Sequence, residues 1–251
     1  MLGIIDADVL VHWAARGSDT VDEAVEMLHE LMEEAMEISF AEEFRIAVKG
    51  KGNFRKDVTG DYKANRKELD VDLKSRLSAV HRTVVRDYGG VPAHDMEADD
   101  LVRIWAEEAR AEGVPFVIIA EDKDLKCIPG VHYNPKKREF AHVSEDEADL
   151  LYHMQLLVGD SADNIKGLWR VGPVKARKAL VDVPMGERMD TVIEMWKEKH
   201  PDDWRERLQQ CGSLIHILRT HDDEFTLEGV TDGETQETLE PQVQDEATVS
   251  E

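Results

Sequence analysis

Residues 114–124 read Val-Pro-Phe-Val-Ile-Ile-Ala-Glu-Asp-Lys-Asp, an apolar run that ends in two closely spaced aspartates. A short apolar run between polar segments is typical of a strand buried in a parallel sheet. A second such run, at 2–5, also ends in an acid, Asp6. Because ligand sites of open α/β sheets form beyond the carboxyl ends of the strands, we expect Asp6, Asp122 and Asp124 to border one cleft.

Short apolar runs alternate with helical patterns along most of the chain, which predicts an α/β fold with a mostly parallel central sheet flanked by helices. Strands are predicted at 2–5, 44–48 and 114–120. Helices are predicted at 21–38, 68–86, 96–111, 144–158, 187–199 and 202–220, and two short helices joined by a Val-Gly-Pro turn within 165–180. We expect an α/β core at 1–158, C-terminal helices packed on it at 159–220, and a disordered acidic tail at 221–251.

The charge of the chain is strongly negative but unevenly distributed. The net charge is −23, yet residues 49–86 carry eleven Lys and Arg against five Asp and Glu. Residues 166–178 carry five basic residues and no acid. This distribution excludes a simple basic DNA coat protein but is compatible with a nuclease that holds DNA at local basic segments.

The sequence also predicts a compartment. Cys127 and Cys211 form no CxxC motif and indicate no disulfide framework, which favours a reducing environment. The N-terminus shows no signal-peptide pattern, and no apolar run approaches the roughly 18 residues of a membrane span. We therefore expect a soluble cytoplasmic protein that has no membrane partner.

Four acidic clusters fall at predicted strand or helix ends. Carboxylates that converge on one crevice repel one another, and hard divalent cations such as Mg²⁺ or Mn²⁺ relieve that repulsion. Taken singly, Asp122 could instead be a helix cap, and Glu97 could simply favour a helix N-terminus. The ten histidines show no zinc-site spacing. The clusters are Asp6, then Glu97 with Asp99 and Asp100, then Asp122 with Asp124, and Asp160 with Asp163.

Basic side chains are interleaved with aromatic ones at 49–67, and a second basic segment surrounds the turn at Gly172. Lysine and arginine can hold phosphates, and Phe54 or Tyr62 can stack on an unpaired base. A solvated loop and an ordinary helix C-cap at Gly172 are the alternatives. The predicted DNA-binding residues are Lys49, Lys51, Phe54, Arg55, Tyr62, Lys63, Arg66, Lys67, Arg170, Gly172, Lys175, Arg177 and Lys178.

Six segments in order resemble motifs of the 5′-nuclease (flap endonuclease) superfamily, especially of its phage 5′→3′ exonuclease branch. Each motif alone would be weak, whereas six in order over about residues 1–220 are specific. The segments are IIDAD at 4–8, NFRKDVTGDYKANRK at 53–67, MEADDL at 96–101, IIAEDKDLKCIP at 118–129, LLVGDSADNIKG at 156–167 and VGPVKARKAL at 171–180.

The resemblance implies a metal-dependent nuclease acting at or near 5′ ends, flaps or nicks of DNA, and on RNA in hybrids. It implies two Mg²⁺ or Mn²⁺ ions, a basic helical arch within 49–88, and a helix–hairpin–helix around Gly172 that can hold K⁺. It further implies that the protein is a monomer and works with replication proteins. If it is phage-encoded, it would act in the cytoplasm of the host. The implied metal ligands are Asp6, Glu97, Asp99, Asp100, Asp122, Asp124, Asp160 and Asp163. The implied catalytic residues are Lys63, Arg66, Asp99 and Asp122.

One position departs from the family's pattern. The family usually has an aspartate just after the second strand, whereas 46–52 here reads Ile-Ala-Val-Lys-Gly-Lys-Gly, with Val48 near the expected place. One metal ion would then be bound more weakly, or Glu42, Glu43 or Asp57 would replace the missing carboxylate.

Two other functions stay open. IIDAD and GDSADN also resemble parts of haloacid-dehalogenase-type phosphatases, with Asp6 as nucleophile and Asp8 as acid–base group. Asp8→Asn would inactivate such a phosphatase but leave a 5′-nuclease largely active, since Asp8 lies outside the implied metal set. The missing carboxylate is equally compatible with a branched-DNA-binding protein that cuts poorly or not at all.

Overall fold

Five short segments form the parallel strands of a six-stranded sheet in the computed structural model, which describes residues 1–227. They are β1 (Leu2–Asp6), β2 (Glu43–Lys49), β3 (Val91–Ala93), β4 (Phe116–Ile119) and β5 (Gly130–Asn134), and β6 (Glu139–Val143) pairs antiparallel with β5. The strand order is β3-β2-β1-β4-β5-β6. The predicted mostly parallel α/β sheet is confirmed. Its strand order reverses at β1, which lies between β2 and β4, and open sheets form their sites at such a reversal.

Helices cover both faces of this sheet. They are α1 (Ala7–Arg16), α2 (Val21–Ile38), α3 (Arg55–Val58), α4 (Val71–Asp87), α5 (Ala98–Ala111), α6 (Glu145–Val158), α7 (Pro173–Leu180), α8 (Arg188–Lys199) and α9 (Trp204–Ile215). A separate two-stranded sheet pairs β7 (Gly159–Asp160) with β8 (Ile165–Lys166). None of the helices in this part of the chain has the length and apolar character that a bilayer crossing demands.

The alternation of side chains along β1 divides the core. Ile4 packs with α5 on one face of the sheet, and Ile5 packs with α1, α2 and α4 on the other. Successive residues of a strand point to opposite faces, so a strand that is apolar throughout must be covered on both. A third apolar cluster joins α6 to α7, α8 and α9. The longer helices thus bury apolar residues on one side, as the helical spacing in the sequence predicts.

The predicted helical arch is wrong. Between β2 and α4 the chain forms one four-residue helix, α3, and a series of turns. The helix predicted at 68–86 does form, as α4, but it packs on α1 and α2 through Val80 and Val84. Because α4 is part of the core layer, it cannot stand over the cleft as an arch.

Residues 61–66 instead lie against the turn between β7 and β8. The Lys63 backbone N–H donates to the Asp163 carbonyl (2.9 Å), and Asn65 Nδ2 donates to the Ser161 carbonyl (3.0 Å). Asn164 Nδ2 donates to the carbonyl of residue 61 (2.8 Å). These hydrogen bonds fold the basic segment down beside the acidic clusters.

The first of the two short helices predicted within 165–180 is also wrong, because Ile165–Lys166 is the strand β8. Gly159 and Gly167 approach so closely that a Cβ on Gly159 would lie 2.4 Å from the Gly167 nitrogen. This glycine contact closes β7 onto β8 and leaves no room for a helix there. The second helix is confirmed as α7, with Gly172 at its N-cap and Pro173 at its first position.

Several elements were not predicted, namely the helices α1 and α3 and the strands β3, β5, β6, β7 and β8. The disorder predicted for the acidic tail is wrong for 221–227, because Phe225 and Leu227 are buried in the third apolar cluster with α9. The rest of the predicted tail, 228–251, lies outside the described residues.

Candidate active site

A cleft of about 990 Å³ opens at the carboxyl ends of β1 and β2 and at the loop after β4. It lies where the topology of the sheet predicts a site. Its acidic lining comprises Asp6, Asp8, Glu97, Asp99, Glu121 and Asp122, and its basic lining comprises Lys49, Lys56, Lys63, Arg66 and Lys123. The predicted convergence of Asp6 with Asp122 at one cleft is therefore observed.

The surroundings of Asp6 and Asp99 disfavour the charged form of both carboxyl groups. Burial, the nearby charge of Asp8, and then those of Asp122 and Glu97 raise the pKa of Asp6 to about 8. Burial, with the charges of Asp6 and Asp122, also raises the pKa of Asp99 well above its usual value. Such shifts arise where carboxylates crowd together out of water without enough cations.

This donor set has the chemistry of a hard-cation site. Carboxylate oxygens are the ligands that Mg²⁺ and Mn²⁺ prefer, and a cation would offset the repulsion that raises these pKa values. As the side chains stand, however, no three His, Cys, Asp or Glu side chains within residues 1–227 are grouped closely enough to hold one ion. Part of the reason lies in Glu97, whose carboxylate is taken by other partners.

Lys63 and Tyr62 both bind Glu97. Lys63 Nζ forms an ion pair with Glu97 and lies 3.3 Å from Asp163 Oδ2. The Tyr62 hydroxyl donates to Glu97 Oε2 (2.8 Å), and its ring is 4% exposed within the third apolar cluster. The prediction that Tyr62 stacks on an unpaired base is wrong for this structure, because both its ring and its hydroxyl are occupied.

Arg66 is exposed and donates to Asp163 Oδ1 (2.7 Å). Lys63 and Arg66 thus join the Glu97 side of the cleft to the β7–β8 turn. Sequence analysis placed both residues at the scissile phosphate, and the structure places both on the cleft lining.

Asp100, one of the predicted metal ligands, is held by Arg55 instead. It has no exposed surface and receives two hydrogen bonds from the Arg55 guanidinium, at 2.7 and 2.8 Å. Backbone N–H groups of Glu97 and Leu218 also donate to it. Burial alone would lower the pKa of Arg55, but the hydrogen bonds and charge of Asp100 raise it above its usual value. The same ion pair removes Arg55, which is buried, from the predicted DNA-binding residues.

Asp124 and Asp160 lie outside the cleft lining, beside Lys123. Asp124 Oδ1 accepts from Gln155 Nε2 (2.8 Å) and from Lys123 Nζ (3.1 Å). Burial and then Asp122 raise the pKa of Asp124, with a smaller contribution from Asp160. These two carboxylates with Asp163 form an outer acidic group, while Asp6, Glu97, Asp99 and Asp122 form the inner group.

The remaining predicted DNA-binding side chains are mostly exposed. Phe54 is the exception, since it is half-buried against the apolar cluster of α5 and has little ring surface to offer a base. The exposed residues are Lys49, Lys51 and Lys67 near the cleft, and Arg170, Gly172, Lys175, Arg177 and Lys178 around the start of α7.

Sequence analysis missed two features. Asp8, beside Asp6 in the first turn of α1, lines the cleft, although only the phosphatase alternative gave it a role. Its signal was the spacing Asp-Ala-Asp at the end of a strand. Trp169 is 69% exposed, with the Arg170 guanidinium 4.0 Å from its ring centre, on the hairpin before α7.

The phosphatase alternative is not supported by the topology. It requires the Gly159–Asp160 motif to follow a strand of the main sheet. Here β7 lies in a separate two-stranded sheet with β8, directly after α6.

A protein-family model supports the nuclease resemblance directly. The model for the 5′-3′ exonuclease N-terminal resolvase-like domain matches residues 13–147, more than half of the chain. The chain belongs to the 5′-3′ exonuclease family. Three of the six motifs, at 53–67, 96–101 and 118–129, lie within the matched residues.

Two relatives show how far the similarity extends. DNA polymerase I of Rhizobium leguminosarum is 30% identical over 152 residues, which are 56% of this chain and 15% of the polymerase. The 5′-3′ exonuclease of Aquifex aeolicus is 25% identical over 187 residues, which are 69% of this chain and 64% of the relative. This member of the 5′-3′ exonuclease family therefore spans less than two thirds of either relative.

Solved structures share the fold. The T5 5′-exonuclease with bound zinc superposes with a TM-score of 0.62 at 16% identity, covering 85% of this chain and 86% of that one. The T5 D15 protein co-crystallised with metal ions gives a TM-score of 0.58 at 13% identity, covering 85% and 94%. Both are structures of metal-bound proteins, and at these identities the likeness shows the fold.

Proposed function

We propose that this chain is a metal-dependent, structure-specific 5′-nuclease. It would act as a 5′→3′ exonuclease or flap endonuclease on phosphodiester bonds at or near 5′ ends of DNA, and on RNA strands in hybrids. The observation that carries the proposal is the inner acidic group, in which buried Asp6 and half-buried Asp99 have pKa values raised by desolvation and by neighbouring carboxylates, on a cleft lining shared with Lys63. Membership of the 5′-3′ exonuclease family supports the same reaction class.

The inner acidic group would hold two Mg²⁺ or Mn²⁺ ions, with the outer group acting through water. When bound, such ions activate a water and stabilise the leaving oxygen in phosphodiester hydrolysis. Asp99 and Asp122 are the carboxylates we assign to catalysis. Both line the cleft, and within the described residues neither forms an ion pair, unlike Asp100, Glu97 and Asp124. Asp100 is excluded by its ion pair with Arg55.

Lys63 and Arg66 would hold the scissile phosphate. Both are cations on the cleft lining, and each is paired with a carboxylate. A metal ion would compete for that carboxylate, and a phosphate would compete for the cation. A positively charged side chain beside the transferred phosphate stabilises negative charge that develops in the transition state.

The exposed basic residues at the start of α7 would hold the uncleaved duplex. Lys175 and Lys178 lie in a segment without acids, and the N–H groups at the start of α7 favour a phosphate. We also propose a K⁺ ion at the Gly172 turn, as the family resemblance implies. Its partners would be nicked, flapped or 5′-ended DNA and replication proteins. The protein would act as a monomer in the cytoplasm.

A second candidate is a branched-DNA-binding protein with weak or no cleavage. The observation that favours it is Val48, which is fully buried in the core at the end of β2 and offers no carboxylate to the cleft. The two candidates share DNA binding and differ in whether product forms.

Variants of the cleft carboxylates separate them. Asp99→Ala and Asp122→Ala should each lower single-turnover cleavage of a labelled 5′-flap substrate by at least 100-fold, while Kd for that DNA, from fluorescence anisotropy, stays within about threefold. Asp57→Ala is the matched control, because Asp57 is exposed on α3 outside the cleft. Full activity in both cleft variants would refute the site assignment.

A further inference from the structure

The end of β2 cannot supply a carboxylate to the cleft. Val48 points into the core formed with α1, α2 and α4, where it has no exposed surface. At Gly50, any side chain is excluded, since a Cβ there would lie 1.7 Å from the Ala93 carbonyl oxygen. Val48, near which the sequence analysis expected an aspartate, and Gly50 are therefore closed to a carboxylate by packing, and the residue between them is Lys49.

The three substitutes that the sequence suggested lie elsewhere. Glu43 begins β2 and pairs with Leu2, so it is roughly 20 Å along the strand from Lys49, at the opposite edge of the sheet. Glu42 lies at that same edge, 3.9 Å from the N-terminal amine of Met1. Asp57 is exposed on α3 and does not line the cleft.

Asp8 reaches the place that these residues do not. The backbone N–H of Lys49, the last residue of β2, donates to Asp8 Oδ1 at 2.8 Å. His81 Nε2 lies 2.6 Å from the Lys49 carbonyl oxygen and thus contacts the next peptide group of the same residue. A carboxylate from the first turn of α1 is thereby held against the end of β2 and borders the cleft.

Asp6 lies next to it with an open oxygen. Asp6 is 4% exposed, and its Oδ1 accepts the Asp8 backbone N–H at 3.1 Å. Within residues 1–227, no donor reaches Asp6 Oδ2 or Asp8 Oδ2. Neither oxygen is among the fully buried side-chain atoms that lack a hydrogen-bond partner in these residues, so both are open to the cleft, and carboxylate oxygens there are the ligands that a hard divalent cation prefers.

We propose that Asp8 supplies the carboxylate that the end of β2 lacks and binds a divalent cation together with Asp6. The inference rests on the proposed function, because it concerns the same metal-binding cleft. It assigns a ligand role to a residue that the family resemblance leaves outside the implied metal ligands, and it explains how a chain with Val48 at this position can keep a complete acidic wall.

The test is a Mn²⁺ titration of the full chain, with free Mn²⁺ followed by electron paramagnetic resonance, for the wild type and Asp8→Asn. Asparagine keeps an oxygen that accepts the Lys49 N–H but removes the charge. Asp57→Asn and Glu43→Gln are matched controls. We expect Asp8→Asn to weaken one Mn²⁺ site by at least tenfold and both controls to match the wild type. Unchanged affinity and stoichiometry in Asp8→Asn would overturn the inference.

Two further readouts separate the possible failures. If the wild type binds no Mn²⁺, the proposed function fails, whereas equal binding by wild type and Asp8→Asn removes only the role of Asp8. Thermal unfolding in EDTA should show Asp8→Asn to be at least as stable as the wild type, because a repulsive charge beside Asp6 is lost. Asp8→Asn should also lose cleavage at low Mg²⁺ and regain it at high Mg²⁺, and a defect that no Mg²⁺ concentration repairs would contradict a ligand role.

Discussion

The guanidinium of Arg55 holds the carboxylate of Asp100 through paired hydrogen bonds, and the two side chains are 3% and 0% exposed. Arg55 also donates to the backbone carbonyls of Leu214 and His216. One buried arginine therefore ties the segment after β2 to the first turn of α5 and to the end of α9. The pair fixes the helix whose neighbouring residues, Glu97 and Asp99, line the cleft.

Loss of one partner of this pair should destabilise the fold. Arg55→Met leaves the Asp100 charge buried without its cation, so we expect the free energy of unfolding to fall by about 3–5 kcal/mol. Urea denaturation measures it. Arg45→Met is the control, because Arg45 pairs with Glu108 at side-chain exposures of 39% and 45% and should cost less than about 1 kcal/mol. Equal losses in both variants would show that the buried pair contributes no more to the free energy of unfolding than the exposed pair.

The stability of the protein in EDTA should fall as pH rises from about 6.5 to 8. Asp6 has a folded-state pKa of about 8 against an ordinary value of 3.8, so the folded state holds a proton that the unfolded state has released, and this advantage disappears as pH rises. Desolvation lowers the pKa values of exposed His12 and of buried His132 and His216, and these groups act in the opposite sense, but only below about 6.5.

The variant Asp6→Asn isolates this effect, because asparagine can still accept the Asp8 N–H at the start of α1. Its Tm should depend less on pH between 6.5 and 8 than the Tm of the wild type. Mg²⁺ should flatten the wild-type profile in the same interval, since a cation stabilises the charged carboxylates. A wild-type Tm that rises over this interval would contradict the crowding of carboxylates at the cleft.

Lys63→Ala should change cleavage and metal binding in opposite directions. Lys63 pairs with Glu97 and Asp163, so its removal frees carboxylates for a cation while taking a positive charge from the phosphate. We expect single-turnover cleavage to slow at least tenfold and Mn²⁺ affinity to hold or increase. Lys56→Ala is the comparison, because Lys56 is on the same cleft lining and has no carboxylate partner within residues 1–227. A parallel loss of cleavage and of Mn²⁺ affinity would indicate that Lys63 acts by supporting the fold of the site.

Lys175→Ala should weaken duplex binding without changing its dependence on base sequence. A lysine that contacts phosphate contributes about one unit to the slope of log Kd against log salt concentration. Anisotropy titrations at several salt concentrations measure this slope. Lys199→Ala on α8 serves as the control, since Lys199 is paired with Glu198 and lies outside the basic segment at 166–178. An unchanged slope in Lys175→Ala would place the DNA elsewhere.

Much of the fold could be predicted because apolar periodicity reports burial directly. The run that ends at Asp6 and the helix at 21–38 have the same bounds, within one residue, in sequence and structure. Strand β3 is three residues long, and β6 is largely exposed, so neither leaves a clear apolar pattern. Helix α1 escaped notice because it begins immediately after β1, with Asp6 as both the strand end and the helix N-cap.

The site was predicted in part. Strand-end position identified Asp6 and Asp122, because the sheet itself brings strand ends together. Asp100 and Arg55 were misassigned, since nothing local in a run of acids or bases shows which member turns inward to pair. Asp8 was missed for a related reason, because its contact with Lys49 joins residues 41 positions apart and depends on the pairing of β1 with β2.

The most direct test of the central claim uses flapped and blunt duplex DNA labelled on the strand with the 5′ end, incubated with the protein in Mg²⁺, in Mn²⁺ and in EDTA. The account predicts short 5′ products in either metal and none in EDTA, with product length distinguishing exonuclease from flap cleavage. DNA binding without product in both metals would contradict the nuclease assignment and leave a branched-DNA-binding protein.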